Sequence, residues 1–556
     1  MGGSAMIGHR RDGQEEATAM RNGIRAGAGT VVRSRGWKFT LPVVVVALGV
    51  SAAPAPASDA QHTRLPRAIA RIMAKPQYAN ATWGLLDRGP AGRQFARRAD
   101  DMFIPGSTTK LFSVSGAWNV IGSHHRFTTP VYALGSRAGG TLDGNLVLVG
   151  SGDLSLGGRA KPGGGIDYTN IDHTDANGVP NAYLTPENPL AGIQDLARQV
   201  RQSGIRRVSG DVVIDDRLFT FDLNTPPAPT PVMINDNVID VVARPTSPGQ
   251  PATVTYRPKA PTLTVDADVR TVSGTRSPTA LSTVKVEGQA PGEIKVTGKV
   301  ADGSPRMLQI APIADPSSFA RTVFIRALRQ AGVRVNANAR GSNPADELPA
   351  SRSYRGQPRV AAYVSPPYSQ YAKLILKVSH NLGANLAICL LAVHVGKTNC
   401  SDGFPVLNAF LERAGVDVSQ VTLADGRGGD PDDRFTPNAV VQLLRYWIGQ
   451  PDFGAFRKNL PILGVDGSLA EDGVHTRARG KVFAKTGTAI GGNLLNGELA
   501  LHAKALAGYF RGANGGWHAF DVVVNNAGEA PDFRGFIHAG EDLGRISAAL
   551  WRQFNP

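Results

Sequence analysis

Cysteine is scarce in this chain: Cys389 and Cys400 are the only two thiols in 556 residues. Two cysteines do not make a metal site, and no cluster of histidine and cysteine joins them. In an exported protein the two thiols can form a disulfide, whereas in a cytosolic protein they more often stay reduced. The alternative is that Cys389, which stands between Ile388 and Leu390, is a buried core thiol. The sequence alone leaves both possibilities open.

Long hydrophobic runs are also missing, except for one near the N-terminus. Basic residues precede an apolar run from Phe39 to Ala53, and small residues ending at Ala57 follow it. This is the order of a secretory signal peptide. The run contains Pro42 and is short for the ~20 residues that span a bilayer, although an uncleaved anchor is the alternative. We therefore expect residues 1–57 to be a signal peptide and the mature protein to be exported, in the periplasm or another extracytoplasmic space.

Acidic residues are outnumbered, because 60 Lys and Arg stand against 45 Asp and Glu, a formal net charge of +15. No basic run is interleaved with aromatic residues, so the excess does not indicate a nucleic-acid partner. It fits peripheral association with a membrane or an anionic wall polymer, and a merely solvated basic surface is the alternative. The apolar fraction of 42% and the charged fraction of 19% are typical of a globular protein. The oligomeric state does not follow from the sequence.

The arrangement of helical and strand-like segments predicts one domain interrupted by an insertion. Residues 58–130 read as helix, strand and helix, whereas residues 131–350 read as short strands between Gly/Pro-rich turns, with two amphipathic helices. Residues 351–556 return to helices, with strands around Lys485. Helices in this last segment are expected at Tyr371–Val378, Asn385–Val395, Pro437–Ile448 and Asp542–Phe554. We predict a mixed α/β (α+β) fold whose first and third segments form one domain around inserted mixed α/β modules.

A serine and a lysine one helical turn apart, Ser107 and Lys110, are the first candidate catalytic pair. A proline and a glycine break the preceding strand, so Ser107 stands where a helix is expected to begin. Positions i and i+3 lie on one face of a helix, and a desolvated lysine there can act as a base for the hydroxyl. The same spacing occurs at Ser282 and Lys285, but that segment alternates like a strand, so the two side chains would point to opposite faces.

Two further short motifs follow along the chain. Ser379 and Asn381 stand two residues apart at a break between helices, where both can face one cleft, and a helix cap is the alternative. Lys485, Thr486 and Thr488 lie on a strand expected at a sheet edge, where the intervening glycine lets a substrate backbone approach closely. Their ammonium and hydroxyl groups suit a carboxylate. Each motif is weak alone, but all three in this order form the set typical of penicillin-binding proteins and class A β-lactamases.

With these motifs the sequence resembles the penicillin-binding protein family. Between Lys110 and Ser379 lie 268 residues, a much longer interval than in β-lactamases. It is similar to that of the class C low-molecular-mass group, the D-alanyl-D-alanine carboxypeptidase/endopeptidases of the penicillin-binding protein 4 type. In that group extra domains are nested inside a penicillin-binding/β-lactamase-like transpeptidase domain with an antiparallel sheet and helices. Further matches run along nearly the whole mature chain, from Arg126 to Tyr509.

The resemblance implies a serine D-Ala-D-Ala carboxypeptidase/endopeptidase that acts on peptidoglycan peptides through an acyl-enzyme and is inhibited covalently by β-lactams. In that mechanism Ser107 attacks the carbonyl, Lys110 takes its proton, and Ser379 relays a proton to the leaving group. Asn381 holds the substrate amide, and backbone N–H groups of Ser107 and Thr488 form the oxyanion hole. The terminal carboxylate is received by Lys485, Thr486 and Thr488. No metal or organic cofactor is expected.

Three departures from the family pattern stand beside two alternative functions. His380 occupies the place where many relatives have Asp, the stretch from Asp425 to Asp430 is only loosely similar, and residues 489–503 are longer than usual. A serine β-lactamase is one alternative, although it would need a base for rapid hydrolysis of the acyl-enzyme and the large insertion argues against it. A catalytically silent wall-binding or β-lactam-sensing protein is the other, and the intact motif set argues against silence.

Overall fold

The computed structural model describes residues 64–179, 181–274 and 282–556, and the predicted signal peptide at residues 1–57 lies outside them. The α-helices of the described residues are α1 (Arg67–Met73), α2 (Lys110–Ile121), α3 (Ala191–Gln202), α4 (Pro316–Gln330), α5 (Tyr368–Lys377), α6 (Asn381–His394), α7 (Gly403–Arg413), α8 (Pro437–Ile448), α9 (Phe453–Lys458) and α10 (Ile537–Gln553). No helix in these ranges is both long enough and apolar enough to cross a membrane.

The strands are β1 (Thr82–Gly89), β2 (Gly92–Arg97), β3 (Arg126–Ala138), β4 (Thr141–Val149), β5 (Arg207–Val208), β6 (Val212–Asp215), β7 (Val238–Arg244), β8 (Thr253–Arg257), β9 (Leu263–Val272), β10 (Lys285–Gly288), β11 (Gly292–Ala301), β12 (Met307–Pro312), β13 (Arg334–Val335), β14 (Arg359–Pro367), β15 (Val421–Thr422), β16 (Arg434–Phe435), β17 (Val482–Asn493), β18 (Glu498–Arg511), β19 (Trp517–Asn525) and β20 (Glu529–Ala530).

The first sheet joins strands from the beginning and the end of the described chain. Its antiparallel order is β17, β18, β19, β1 and β2, and β20 pairs with one end of β18. Helices α1 and α10 cover one face, and the helical layer around α8 covers the other. Strands covered on both faces bury residues at successive positions, and the buried run Ala519–Val524 in β19 is apolar except for Asp521. Strand β17 lies at the sheet edge, as its sequence predicted.

Helices α2 and α6 form the centre of the helical layer. Every residue of α2 from Lys110 to Trp118 is buried, and so is every residue of α6 from Leu382 to Ala392. A helix that is buried on all sides belongs in the interior of a large domain. A disulfide between Cys389 and Cys400, both fully buried, joins α6 to the turn that precedes α7. The structure therefore pairs the two thiols that the sequence left undecided.

The middle of the chain folds into three further sheets. One is mixed, with the order β13, β5, β4, β3 and β14, and β6 pairs with β4. The other two are β12, β7 and β8, and β10, β11 and β9. Helices α3 and α4 contribute to an apolar core that they share with these sheets. Ile193, Leu196 and Phe324 are among its fully buried residues. The division at residues 58–130, 131–350 and 351–556 stays a prediction.

Local sequence signals predicted the ends of some helices more accurately than the ends of others. Helix α8 has the bounds expected from sequence, and Thr436 Oγ1 accepts the N–H of Ala439 at its start. Helix α10 begins at Ile537 rather than Asp542, and Phe536 before it supplies no side-chain cap, so no capping signal in the sequence marks this start. Helix α6 begins at Asn381 rather than Asn385, so the Ser-x-Asn motif runs directly into it.

Candidate active site

Ser107 lies in a tight turn directly before α2. Residues Gly106–Thr109 form a 3-10 turn, and the α-helix itself begins only at Lys110. The expectation that Ser107 opens the helix was therefore wrong by one turn. The side chains of Ser107 and Lys110 nevertheless approach each other, as their i, i+3 spacing predicted. Gly106 has φ +53°, and a Cβ there would lie 2.6 Å from the backbone nitrogen of Thr488. Only glycine allows this turn to approach the edge strand so closely.

Lys110 is the most connected side chain of the site. Its Nζ is 2.7 Å from Ser107 Oγ, 2.8 Å from Asn381 Oδ1 and 2.8 Å from the backbone oxygen of Arg427. The side chain is fully buried. Burial, and next the positive charge of Arg427, lower the pKa of Lys110 to about 7. An unprotonated amine, which can accept the Ser107 proton, is therefore well populated near neutral pH.

The Ser-x-Asn motif forms the turn between α5 and α6. Ser379 has φ 62°, a left-handed conformation that is uncommon for a residue with a side chain. Asn381 is the first residue of α6, and its side-chain oxygen Oδ1 accepts a hydrogen bond from Lys110 Nζ. The cap of α6 is His380, whose Nδ1 accepts the N–H of Gly383 at 3.1 Å. The predicted alternative of a helix cap thus applies to the middle residue of the motif.

Lys485 reaches the same turn from the edge strand β17. Its Nζ donates to Ser379 Oγ at 2.9 Å and to the backbone oxygen of Thr486 at 2.7 Å. Lys485 is fully buried, and burial followed by the charges of Lys110 and Lys504 holds its pKa well below the usual value. The structure therefore brings two lysine amines, each bonded to a different serine, into one electrostatically coupled site.

The two threonines lie farther along β17. Thr486 Oγ1 is 2.7 Å from Ser468 Oγ, and Thr488 Oγ1 accepts from Lys504 Nζ at 2.9 Å. Between them, a Cβ on Gly487 would lie 2.2 Å from the backbone oxygen of Pro105. The missing side chain lets β17 pack directly on the turn that carries the serine. Hydrogen bonds thus join Lys110 to Ser107 and Asn381, and Lys485 to Ser379, while Thr486 and Thr488 follow Lys485 on β17.

The loop from Asp425 to Gly429 supports this site, although its sequence match was only loose. Asp425 Oδ1 accepts the N–H groups of Arg427 and Gly428, which fixes the loop backbone. Gly428 has φ +85°, and a Cβ there would overlap the backbone oxygen of Gly106. The loop thereby places the Arg427 oxygen on Lys110. The glycines around Asp425 were the available sequence signal for this contact.

Asp175, in the 3-10 turn His173–Asp175, is a residue that sequence reasoning missed. Burial, and next the charge of Asp172, raise the pKa of Asp175 to about 6, while the charges of Lys110 and Lys485 act in the opposite direction. This carboxyl therefore belongs to the electrostatic surroundings of the two lysines. No motif marked it, because it comes from the strand-rich middle of the chain.

Comparison with known proteins identifies the family. The model of the D-Ala-D-Ala carboxypeptidase 3 (S13) family matches residues 65–540. The chain belongs to this family. It is a serine-type D-Ala-D-Ala carboxypeptidase, a hydrolase, and the resemblance to penicillin-binding proteins inferred from the motifs is confirmed.

Relatives of this S13 peptidase match along most of its length. It is 27% identical to a D-alanyl-D-alanine carboxypeptidase of Actinomadura sp. (strain R39), over 94% of this chain and 92% of the relative. It is 23% identical to the D-alanyl-D-alanine carboxypeptidase DacB of Haemophilus influenzae, over 76% and 80% of the two chains. The crystal structure of penicillin binding protein 4 from Haemophilus influenzae superposes with a TM-score of 0.63 at 18% identity, covering 87% of this chain and 98% of that one. The predicted fold class is therefore confirmed.

Proposed function

We propose that Ser107 is the nucleophile that is acylated by peptidoglycan stem peptides ending in D-Ala-D-Ala. The observation that carries this assignment is the 2.7 Å contact between Ser107 Oγ and Lys110 Nζ, together with the lowered pKa of Lys110. The hydroxyl oxygen attacks the carbonyl carbon of the penultimate D-Ala, and its proton passes to the amine of Lys110. The tetrahedral intermediate carries its negative charge on the former carbonyl oxygen.

That oxygen is stabilised by the backbone N–H groups of Ser107 and Thr488. The close approach of Gly106 to the nitrogen of Thr488 brings the two segments into contact, which supports this arrangement. Removal of one such donor typically costs ~10²–10³ in rate. The donors are backbone groups of a packed turn and a sheet strand, so they need no rearrangement during the reaction.

Ser379 delivers the proton that the leaving D-Ala requires. Because Lys485 Nζ donates to Ser379 Oγ, the hydroxyl hydrogen of Ser379 is directed elsewhere, and the leaving nitrogen is its acceptor in this proposal. The proton that Lys110 took from Ser107 passes on to Ser379, the C–N bond breaks, D-Ala departs as the amine, and an ester to Ser107 remains, with Lys110 and Ser379 back in their starting protonation states. Water then attacks the ester carbonyl and restores the free hydroxyl, while Lys110 again handles the proton.

The substrate is held by its carboxylate and by its amide. Lys485 and the hydroxyls of Thr486 and Thr488 receive the terminal carboxylate, because its negative charge favours the protonated form of the buried Lys485 amine and its oxygens accept from all three groups. Lys504 donates to Thr488 Oγ1, which leaves the Thr488 hydrogen for the substrate. Asn381 Oδ1 is occupied by Lys110, so its amide nitrogen donates to the peptide carbonyl.

The same chemistry extends to cross-linked peptides and to β-lactams. A cross-link also presents a D-Ala carbonyl, and a β-lactam presents a strained amide beside a carboxylate, so both can acylate Ser107. We place the enzyme outside the cytoplasm, where peptidoglycan lies. The disulfide between Cys389 and Cys400 supports this location, because such bonds persist in oxidising compartments.

Mass spectrometry after treatment with benzylpenicillin tests the assignment. We expect one covalent adduct, on the peptide that contains Ser107, and no adduct in Ser107→Ala. The matched control is Ser282→Ala, which removes the other serine in a Ser-x-x-Lys spacing and should label normally. An adduct on Ser379 or Ser282 contradicts the proposal. A slowly cleared adduct indicates the peptidase, rapid turnover indicates a β-lactamase, and absence of labelling indicates a silent protein.

A further inference from the structure

A cluster of buried charged side chains lies directly behind the Ser-x-Asn turn. We call it the buried cluster, and each member is at most 6% exposed: Arg159, Asp172, His173, Asp236, Asp240 and His380. All members except His380 come from the strand-rich middle of the chain. Ionised groups at this depth are costly unless they are paired, so the cluster calls for a functional or structural reason.

His173 is the centre of the pairing. Its Nδ1 is 2.5 Å from Asp240 Oδ1, and its Nε2 is 2.7 Å from Asp236 Oδ2. Both ring nitrogens face carboxylates, so both carry hydrogen and the ring is an imidazolium. Although burial opposes protonation, the charges of Asp240 and Asp172 raise the pKa of His173 to about 10.

Asp236 carries the connection onward to the catalytic turn. Its Oδ2 accepts from His173 and, at 2.7 Å, from the guanidinium of Arg159. Its Oδ1 lies 3.4 Å from His380 Nε2, and neither of these two buried atoms has a hydrogen-bond partner within the described residues. Three successive residues, Asn235, Asp236 and Asn237, have φ between 52° and 58°, a left-handed run that costs free energy at each residue. The backbone is thus held in an unfavourable conformation that presents Asp236 to both neighbours.

The hydrogen bonding of His380 determines which nitrogen faces Asp236. Because Nδ1 accepts the N–H of Gly383, a ring hydrogen resides on Nε2, which lies 3.4 Å from Asp236 Oδ1. His380 therefore caps α6 with one nitrogen and brings the other next to a carboxylate from the middle of the chain. Its neighbour Ser379 has the left-handed φ of 62° that directs its hydroxyl to Lys485.

A metal ion is the competing interpretation of the same atoms. One ligand atom each from Asp172, Asp236 and His380 lie within 4.8 Å of one another. However, Arg159 already donates to both carboxylates, at 2.8 and 2.9 Å for Asp172 and 2.7 Å for Asp236. With Arg257 bonded to Asp240 at 3.0 Å, three cations balance three carboxylates. A divalent ion would add two uncompensated charges, which is unfavourable in a buried site.

We propose that the buried cluster is a positioning element for Ser379. By holding His380 through Asp236 and His173, it keeps the turn in the conformation that places the Ser379 hydroxyl against Lys485. His380, Asp236 and His173 are positioning residues, since they act through Ser379 and not on the substrate. The inference rests on the proton-delivery role proposed above for Ser379. It also gives the middle of the chain a part in the reaction.

The decisive variant is His380→Asn, because an asparagine oxygen can still cap α6 but does not reach Asp236. We expect the rate constant for acylation by a chromogenic cephalosporin to fall roughly tenfold to hundredfold, with KM for a D-Ala-D-Ala peptide almost unchanged. His380→Asp should be slower still, because it places a second carboxylate beside Asp236. Adding Asp236→Asn to that variant should restore the rate toward that of His380→Asn. A failure of this rescue overturns the charge-based link.

Introducing His380→Asn into the Ser379→Ala variant separates the proposed proton delivery by Ser379 from the proposed positioning of Ser379 by the buried cluster. If Ser379→Ala alone leaves acylation unchanged, the proposed role of Ser379 is wrong. If Ser379→Ala slows acylation and His380→Asn adds its full effect on top, positioning of Ser379 is wrong. We expect instead that His380→Asn costs little once the hydroxyl is absent.

Two controls test general loosening and metal binding. Arg321 is 2% exposed, pairs with Asp211 at 2.5 Å in the same middle region, and donates its other hydrogen bonds to the backbone oxygens of Val212, Asn338 and Gly341. Arg321→Met should lower the melting temperature without slowing acylation by the folded enzyme. Equal slowing in Arg321→Met and His380→Asn would show that the cluster is merely structural. Loss of wild-type activity in EDTA with recovery on adding Zn²⁺ would establish a metal site and overturn the proposal.

Discussion

Acylation of this enzyme should follow the ionisation of Lys110. With the pKa of Lys110 at about 7, about half of its amine is unprotonated at pH 7. A lysine with the usual pKa of 10.5 has only about 1 in 3000 of its amine in that form. The surroundings of Lys110 therefore raise the unprotonated fraction of its amine roughly a thousandfold at neutral pH. Burial is the largest cause of this gain, and the guanidinium of Arg427 is the next.

The assay is the second-order rate constant for acylation by a chromogenic cephalosporin between pH 5 and pH 9. We expect a plateau above about pH 8 and a fall of about tenfold per pH unit below about pH 6. Lys110→Arg keeps a cation of similar length but cannot lose its proton, so it should retain less than about a thousandth of the rate. The melting temperature of Lys110→Arg, measured in parallel, separates lost chemistry from lost folding.

Two neighbouring charges should move the midpoint of the pH dependence of acylation in opposite directions. Arg427 lowers the pKa of Lys110, so Arg427→Met should move the midpoint to higher pH. Asp175 raises the pKa of Lys110, so Asp175→Asn should move the midpoint to lower pH. A flat profile between pH 5 and pH 9, or shifts of the same sign in the two variants, would refute the reasoning.

Three further outcomes follow from the site and its surroundings. Lys485→Ala should lose at least about tenfold more on peptides with a free terminal carboxylate than on amidated ones, and equal losses would remove Lys485 as the carboxylate contact. Gly487→Ala, whose Cβ would lie 2.2 Å from a backbone oxygen of the serine turn, should abolish acylation, whereas Gly492→Ala on the same strand meets nothing within 4 Å and should be active. Replacing Cys389 and Cys400 by alanine should lower the free energy of unfolding by about 3 kcal/mol, given their separation of 11 residues. Two free thiols in the denatured, unreduced chain would show that the disulfide is absent.

The local part of the site could be predicted from the sequence, because it depends on short-range geometry. Ser107 and Lys110 are three residues apart on a helical turn, and this spacing in a helical segment brings their side chains together. The contact of Lys110 with Asn381, 271 residues away, depends on the packing of α2 against α6. No periodic pattern encodes such a contact, so only the family resemblance indicated it.

The residues that sequence reasoning missed share one property: their environment comes from other parts of the chain. His380 stands between the two motif residues Ser379 and Asn381, and no motif predicted a role for it. Its partner Asp236 lies in an irregular segment whose left-handed backbone no motif announces. Asp175 depends on the same kind of long-range packing. The fold class, by contrast, followed from the order of helical and strand-like segments, which local composition does encode.

The pairing of β1 with β19 determines when the enzyme becomes competent during its own synthesis. Trp83 pairs with Val524, so the strand that precedes the nucleophile has as its neighbour a segment made some 440 residues later. Until that segment emerges, β1 and β2 are a lone hairpin, which is marginally stable at best. Closing so long a loop is also a slow step in folding. We therefore expect that a nascent or prematurely terminated chain that lacks β19 neither cleaves cell-wall peptides nor reacts with an antibiotic, so that activity requires synthesis to reach the last strands of the sheet.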